Sequence, residues 1–329
     1  MKLIFILLIC INGLHADDFD FGGEESSSKS KNFWMKKKIT LITSYQTGEP
    51  KRWIDLGGRF KLHGEWKGDW GRFVYDGDLY FNGSYKIEKD PEDVQKEYFP
   101  QPTLREFYWE KSYENFSFKM GQQIVVWGKG DALVVTDVLT PRDQTSLFLT
   151  DIEQARLGQL LFQTDFYLGQ LELNLYYIPF PLYDRYPPVG HPYGFSENTI
   201  LLNSEMFKKS QQNGEGALRV NYQFEQASLG LLAARIHNRS PLFKSTLKGI
   251  EENHQAYTFT GITGNLVINP FLIKWEFAYE WQKPQQSVNS LQLMEVLKED
   301  FYSFMVGFDY NHPVWGSFVV EFSGNAPVE

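Results

Sequence analysis

Seven residues in the stretch from Asp131 to Arg156 have side chains that could handle charge: Asp131, Asp137, Arg142, Asp143, Asp151, Glu153 and Arg156. Such a group can pin a loop through Arg–carboxylate pairs or present charge to a passing solute, and the sequence leaves both readings open. A calcium ion among Asp131, Asp137 and Asp143 is a further use that their spacing leaves undetermined. A second set alternates along one stretch, Arg59, Lys61, His63 and Glu65, and is matched elsewhere by Arg105, Lys119, Arg219 and Lys274 against Asp76, Asp78, Glu106, Glu172 and Glu276. Covalent chemistry has less to build on. His63, His191, His237, His254 and His312 show no metal-ligand spacing, and no nucleophile elbow, phosphate loop or dinucleotide fingerprint occurs. The reading is therefore of a non-enzyme without cofactor or metal; a hydrolase using a histidine in or beside a long connection (His191, His237 or His254) is the enzyme alternative.

These charges need walls to hold them, and the wall pattern is clearest from Trp53 to Trp66. Apolar or small residues fall at even positions, Asp55, Arg59, Lys61, His63 and Glu65 at odd ones. A period of two describes a strand with unlike faces, here with Ile54, Leu56, Phe60 and Leu62 on the apolar side. The run from Arg72 to Ile87 repeats the pattern, and Phe271 to Trp281 sets a largely aromatic face against Lys274, Glu276 and Glu280. Thirteen strands are read in all, at 38–46, 53–66, 72–87, 103–111, 115–127, 158–168, 170–179, 215–225, 227–237, 255–265, 270–281, 301–310 and 315–324. Their connections alternate between short turns and long loops, the habit of outer-membrane barrels.

Composition agrees. Aromatic residues make up 16% of the chain, yet mean hydropathy is below zero, as expected when half of each strand faces lipid and half faces water. Residues 1–16, with Lys2 followed by the apolar run Leu3 to Ile11, read as a secretory signal peptide for Sec-type export. The only cysteine, Cys10, leaves with it, which excludes disulfides and thiol chemistry in the mature chain. Residues 17–37 read as a flexible, acidic and Ser-rich lead-in, and 38–329 as the barrel. A net charge of −9 argues against a nucleic-acid partner. Thirteen strands do not make an even barrel, so a closing strand is expected beyond Glu329, giving fourteen or more.

The segment 128–157 breaks the alternation. Trp127 ends a strand and Gly128 permits a change of direction. Thr140-Pro141-Arg142-Asp143 reads as a helix start, with Thr140 as cap and Pro141 at the first position, and Thr150 to Glu153 as a second. A polar, capped segment of this length is most cheaply placed inside a barrel, where it would act as constriction or plug.

In the same segment Gly121, Gln123, Trp127, Gly128, Asp131, Asp137, Pro141 and Asp143 match G-[RK]-Q-x-x-x-W-G-x-x-D followed by D-x-x-N-P-x-D. This resembles the signature of an uncharacterised Gram-negative outer-membrane barrel family, a porin-like domain of unknown function often encoded near RND-type exporters. Gln122 and Thr140 depart from it, where a basic residue and Asn are usual. The resemblance implies an outer-membrane location in a Gram-negative bacterium and an inner-membrane exporter as a candidate partner, without naming a substrate.

The combined expectation is an all-β transmembrane antiparallel up-and-down barrel in outer-membrane lipid, with an inward loop bearing short helices. It would be a porin-like channel or an export or uptake barrel for a small solute, the alternative being a non-conducting structural or transport-accessory barrel. Constriction and lumen residues are Asp131, Asp137, Arg142, Asp143, Arg156, Arg59, Lys61 and Glu65; the motif turn is Trp127, Gly128, Thr140 and Pro141. The aromatic, Pro-rich loop Pro179 to Gly194 could take an apolar or glycan ligand or pack on itself, and 285–300 reads as a short amphipathic helix at the outer rim.

Overall fold

A computed structural model of the chain describes residues 32–47, 51–90, 92–145, 152–187, 191, 214–247, 249–291, 293–312 and 316–328. The expected signal peptide, Thr150 and Asp151 of the second predicted helix start, and residues 188–190 and 192–194 of the Pro-rich loop lie outside them. Two compact units are formed, one of residues up to Trp109 with 187–199, the other of 110–186 with 200–329.

The first unit contains β1 (Phe33–Gln46), β2 (Arg52–Gly68), β3 (Gly71–Asn82), the short helices α1 (Ser84–Ile87) and α2 (Glu92–Tyr98), and most of β4 (Gln101–Ser112). The second holds β5 (Phe116–Gln123), α3 (Ile152–Ala155), β6 (Gln159–Leu168), β7 (Leu171–Ile178), β8 (Glu215–Gln223), β9 (Ala227–His237), β10 (Leu242–Thr246), β11 (Gly249–Asn253), β12 (Ala256–Ile268), β13 (Phe271–Val288), β14 (Met294–His312) and β15 (Gly316–Pro327). Thirteen strands follow one another as antiparallel neighbours in chain order, and β10–β11 form a separate hairpin. The fold is all-β in the up-and-down order of a barrel wall, and each of the thirteen predicted strands corresponds to one observed.

Burial runs opposite to that of a water-soluble sheet. Along β13, Phe277 is 44% exposed and Trp281 41%, while Lys274, Glu276 and Glu280 on the other face are 4% or less. The same inversion sets Leu41, Phe60, Phe73, Phe81, Phe304 and Phe322 outside against buried Asp76, Asn82, Asp165 and Asn174. Exposed apolar residues on one face and ionisable ones enclosed by the other suit a strand with hydrocarbon outside and a polar interior. Aromatic side chains gather at the short-turn end in both units: Trp66 lies 5.3 Å from Trp70, Tyr113 4.5 Å from Phe116, Tyr222 4.6 Å from Phe224 and Phe271 5.1 Å from Tyr310. Trp53 sits with Tyr45 toward the opposite end of β2.

Several boundaries differ from the sequence reading, each for a local reason. The wall begins at Phe33, inside the expected lead-in, because Phe33 to Ile39 pair with Trp66 to Phe60 although the lysines at 36–38 mask the pattern. A bulge pairs Ser44 with Asp55 but Tyr45 with Trp53, so Ile54 is the extra residue and is buried rather than outward. β3 stops at Asn82 instead of Ile87. The Asn82 amide takes the N–H groups of Leu56 and Ser84 and donates to the Ile54 carbonyl, which starts α1. The helix expected over 285–300 is the extended tip of a β13–β14 hairpin, with Lys283 facing Glu299 and Gln285 facing Leu297.

Candidate functional site

In the second unit β5 ends at Gln123, and from Ile124 the chain leaves the ladder. Thr140 then replaces the lost neighbour: its hydroxyl donates to the Val125 carbonyl at 2.6 Å and accepts from the Val125 N–H at 3.0 Å. That double use explains why no helix starts here. Arg142 and Asp143 instead form isolated bridges with Arg156 and Arg185. The second predicted start falls beside a single turn, α3. Trp127 is 1% exposed, 5.8 Å from Tyr176 and 6.3 Å from Phe259, in an apolar cluster with Leu139, Leu161, Ile178 and Ile236.

Beyond Trp127 the chain wraps two wall carboxylates. Glu276 on β13 accepts the N–H groups of Lys129 (2.5 Å) and Gly130 (3.0 Å) on one oxygen and those of Val135 (2.8 Å) and Thr136 (2.7 Å) on the other. Glu321 on β15 accepts Asp131 (2.7 Å), Ala132 and Leu133 (both 2.9 Å). The wrap needs glycine at 128, where a Cβ would stand 2.8 Å from Val134 Cγ1, and at 130, where it would stand 2.5 Å from the Leu133 carbonyl oxygen. Lys274 offsets the negative charge, 2.7 Å from Asp131, 2.9 Å from Asp309 and 3.6 Å from Glu321.

The rest of the segment is moored as firmly. Asp137 accepts Arg156 Nε and lies 2.9 Å from Arg156 Nη2, takes the Trp127 N–H at 3.3 Å, and is 3.6 Å from Arg142. Asp143 accepts the Thr145 N–H and hydroxyl and lies 3.6 Å from Arg185. Glu215 on β8 holds His237 and both terminal nitrogens of Arg239, and Arg239 in turn donates to the Val138 and Leu139 carbonyls. Asp184 accepts the Arg142 N–H at 2.8 Å; burial holds its carboxyl above the usual carboxylate range, opposed by that bond and the Arg239 charge.

Asp131, Asp137, Arg142, Asp143 and Arg156 thus share one moored segment, but Asp131, Asp137 and Asp143 turn to separate partners instead of converging as a calcium site would require. Arg59, Lys61 and Glu65 belong to the first unit. There Arg59 lies 3.6 Å from Asp78, Asp76 gathers His63 (3.1 Å), Lys61 (3.5 Å) and Arg105 (3.6 Å), and Glu65 meets Lys67 (3.0 Å) and Arg72 (3.4 Å). Of the described residues of the 179–194 loop, Tyr183 stacks on His254 at 3.4 Å, the Tyr186 hydroxyl donates to Ser240 and His191 bonds Tyr85 of α1, while Phe180 stays exposed. Sequence reasoning missed the mooring roles of Glu215, Glu276, Glu321 and Arg239. Glu276 stood out only as part of the polar face of β13; the signal that could have found Glu321 is its place as a lone carboxylate in Val319-Val320-Glu321-Phe322.

A family described as "Protein of unknown function (DUF1302)" matches residues 51–317. No curated protein sequence matches the chain. Similar solved structures include Salmonella typhi OmpF in complex with daunomycin, at 12% identity over 89% of this chain and 78% of that one with a TM-score of 0.47. A loop-deletion form of OmpT, an outer membrane protein of Vibrio cholerae, shows 9% identity over 90% and 95%, with a TM-score of 0.39. Acinetobacter baumannii OccAB4 shows 11% over 88% and 81%, with a TM-score of 0.35.

Proposed function

The chain belongs to the DUF1302 family of unknown function, and we propose that it is a porin-like barrel of the Gram-negative outer membrane, carrying a fixed constriction on a solute path. The observation that carries this reading is the pairing of an inverted wall with an inner segment fastened to it. Outward Phe277 and inward Glu276 are neighbours on one strand, and Glu276 alone takes four backbone N–H groups of the segment. A polar, partly hydrated interior satisfies such backbone, whereas hydrocarbon would leave it unpaired at several kcal/mol per group. Passage through the constriction needs no covalent step.

Planar-bilayer recording on the full-length protein tests the channel. We expect steps of conductance that widen when 132–137 is replaced by a short Gly-Ser linker. A folded barrel that stays silent in both forms would sink the conducting reading. The second reading, a sealed barrel serving as scaffold or transport accessory, draws on the apolar cluster around Trp127, which fills space beside the wall.

A further inference from the structure

The second unit contains a half-open cavity of about 700 Å³ lined by the inner segment from Val134 to Gln144, by residues 238–242 and by β13, β14 and β15. Its charged groups divide unequally once their partners are followed. Arg239 is spent on Glu215, and Lys283 is bonded to Glu280 at 2.7 Å. Asp137 already takes Arg156 on the oxygen that Arg142 approaches, and Asp184 takes the Arg142 N–H and the Ser240 hydroxyl. What remains is the Arg142 guanidinium, 29% exposed, whose one ion pair within 4 Å among the described residues is the 3.6 Å approach to Asp137, with the Asp184 carboxylate acting on its charge from farther off. Five N–H donors in a planar fork with so little to bind form a ready receptor for an oxyanion.

The lining on the strand side is of another kind. Ser303 and Asn325 are register partners on β14 and β15, and Ser323 lies two residues before Asn325; none of the three makes a side-chain hydrogen bond among the described residues. Hydroxyl and amide groups lining the same cavity as a guanidinium suit a solute with an acid at one end and a polar, hydroxyl-bearing body. We infer that this cavity is a solute-binding site for small polyhydroxylated carboxylates, with Arg142 holding the carboxylate and Ser303, Ser323 and Asn325 the body. The inference deepens the channel reading and rests on it for the route by which a solute arrives.

Calorimetric titration of the detergent-solubilised full-length protein with sodium gluconate, and with glucose as the neutral counterpart, tests the site independently of conduction. Expected are saturable gluconate binding and much weaker glucose binding. Arg142→Gln should weaken gluconate by about ten- to a hundredfold, the worth of a charge-assisted pair, and Arg142→Lys should fall between. A Ser303→Ala/Asn325→Ala double variant should lose several-fold, and Lys96→Gln, at an exposed helical lysine, nothing. No saturable binding by the parent protein, equal binding of glucose, or an Arg142→Lys protein of parental fold and affinity together with an unaffected Arg142→Gln would overturn the assignment. Gluconate binding without bilayer conductance would leave the site standing and remove the pore.

Discussion

Both units enclose charge, and they spend it differently. In the first, the inward carboxylates Asp76 and Asp78 meet Lys61, Arg59 and Arg105 at 3.5 to 3.6 Å and the His63 ring at 3.1 Å, and Lys61 and His63 keep about a third of their surface exposed. In the second, Glu276 and Glu321 take seven backbone N–H groups at 2.5 to 3.0 Å, and Glu276 is 1% exposed. A carboxylate ringed by backbone donors cannot exchange partners without unfolding the segment it holds. A carboxylate with several alternative side-chain partners, one of them a third-exposed lysine, can re-pair with water or solute at smaller cost. The second arrangement is a fixture and the first an adjustable field, and the difference should appear in mutants.

Glu276→Ala should have the largest effect. It orphans four N–H groups at once, that of Thr136 fully buried and the other three partly so, and removing a buried charged acceptor costs roughly 3–5 kcal/mol. Hydrogen exchange at Lys129, Gly130, Val135 and Thr136 should then accelerate at least a hundredfold while the strand ladders stay protected, since the wall's own bonds are untouched. Unchanged exchange would mean the segment is held by something other than the carboxylate. Trp127→Ala comes next. It empties the centre of the apolar cluster, at about 3–4 kcal/mol for a buried aromatic, and the same amides should report it, led by those near Leu139.

A pH effect of about 3 kcal/mol belongs to the first unit. His191 is buried against Tyr85, and burial together with the nearby Arg52 charge lowers its pKa to about 4 from an unfolded value near 6.5. The native state refuses a proton that the unfolded chain accepts, so stability is whole above pH 6.5 and is lost as pH falls toward 4. His191→Asn, which cannot titrate, should erase that slope when α1 amide exchange is compared between the two proteins at pH 7 and pH 4.5; parallel curves would refute it.

The wall was legible in the chain because a strand records both its faces in a period of two: Phe60 against Lys61, Phe277 against Glu276. Where a single residue overrides the period, legibility ended. The turning of the chain by Asn82 depends on a carbonyl 28 residues away, the bulge at Ile54 on its pairing with β1, and the β10–β11 hairpin, though local, has strands of five residues that are too short to record a period. The inner segment was found as an interruption, and its acids were identified, but its conformation was misjudged at Thr140, whose hydroxyl serves Val125 fifteen residues away instead of a local helix. The anchors escaped notice because Glu215, Glu276 and Glu321 look like any inward carboxylate until the chain that wraps them is in place.

The smallest expected effect discriminates best between the two kinds of charge. Lys61→Gln removes one 3.5 Å pair from a group whose acid, Asp76, retains His63 and Arg105. Because Lys61 is a third exposed and Asp76 keeps its other partners, the pair contributes within about 1 kcal/mol, so the melting midpoint should barely move. Removing a cation from an adjustable field changes what the field favours, however, and the reversal potential across a salt gradient should shift toward cations by a measurable amount. If Lys61→Gln instead destabilised the protein as strongly as Glu276→Ala, its pairs would be fixtures too, and the contrast between the two units would fail. If neither stability nor reversal potential moved, Lys61 would lie off the ion path, and the search for the selective charges would pass to Arg59 and Arg105 on the same inward face.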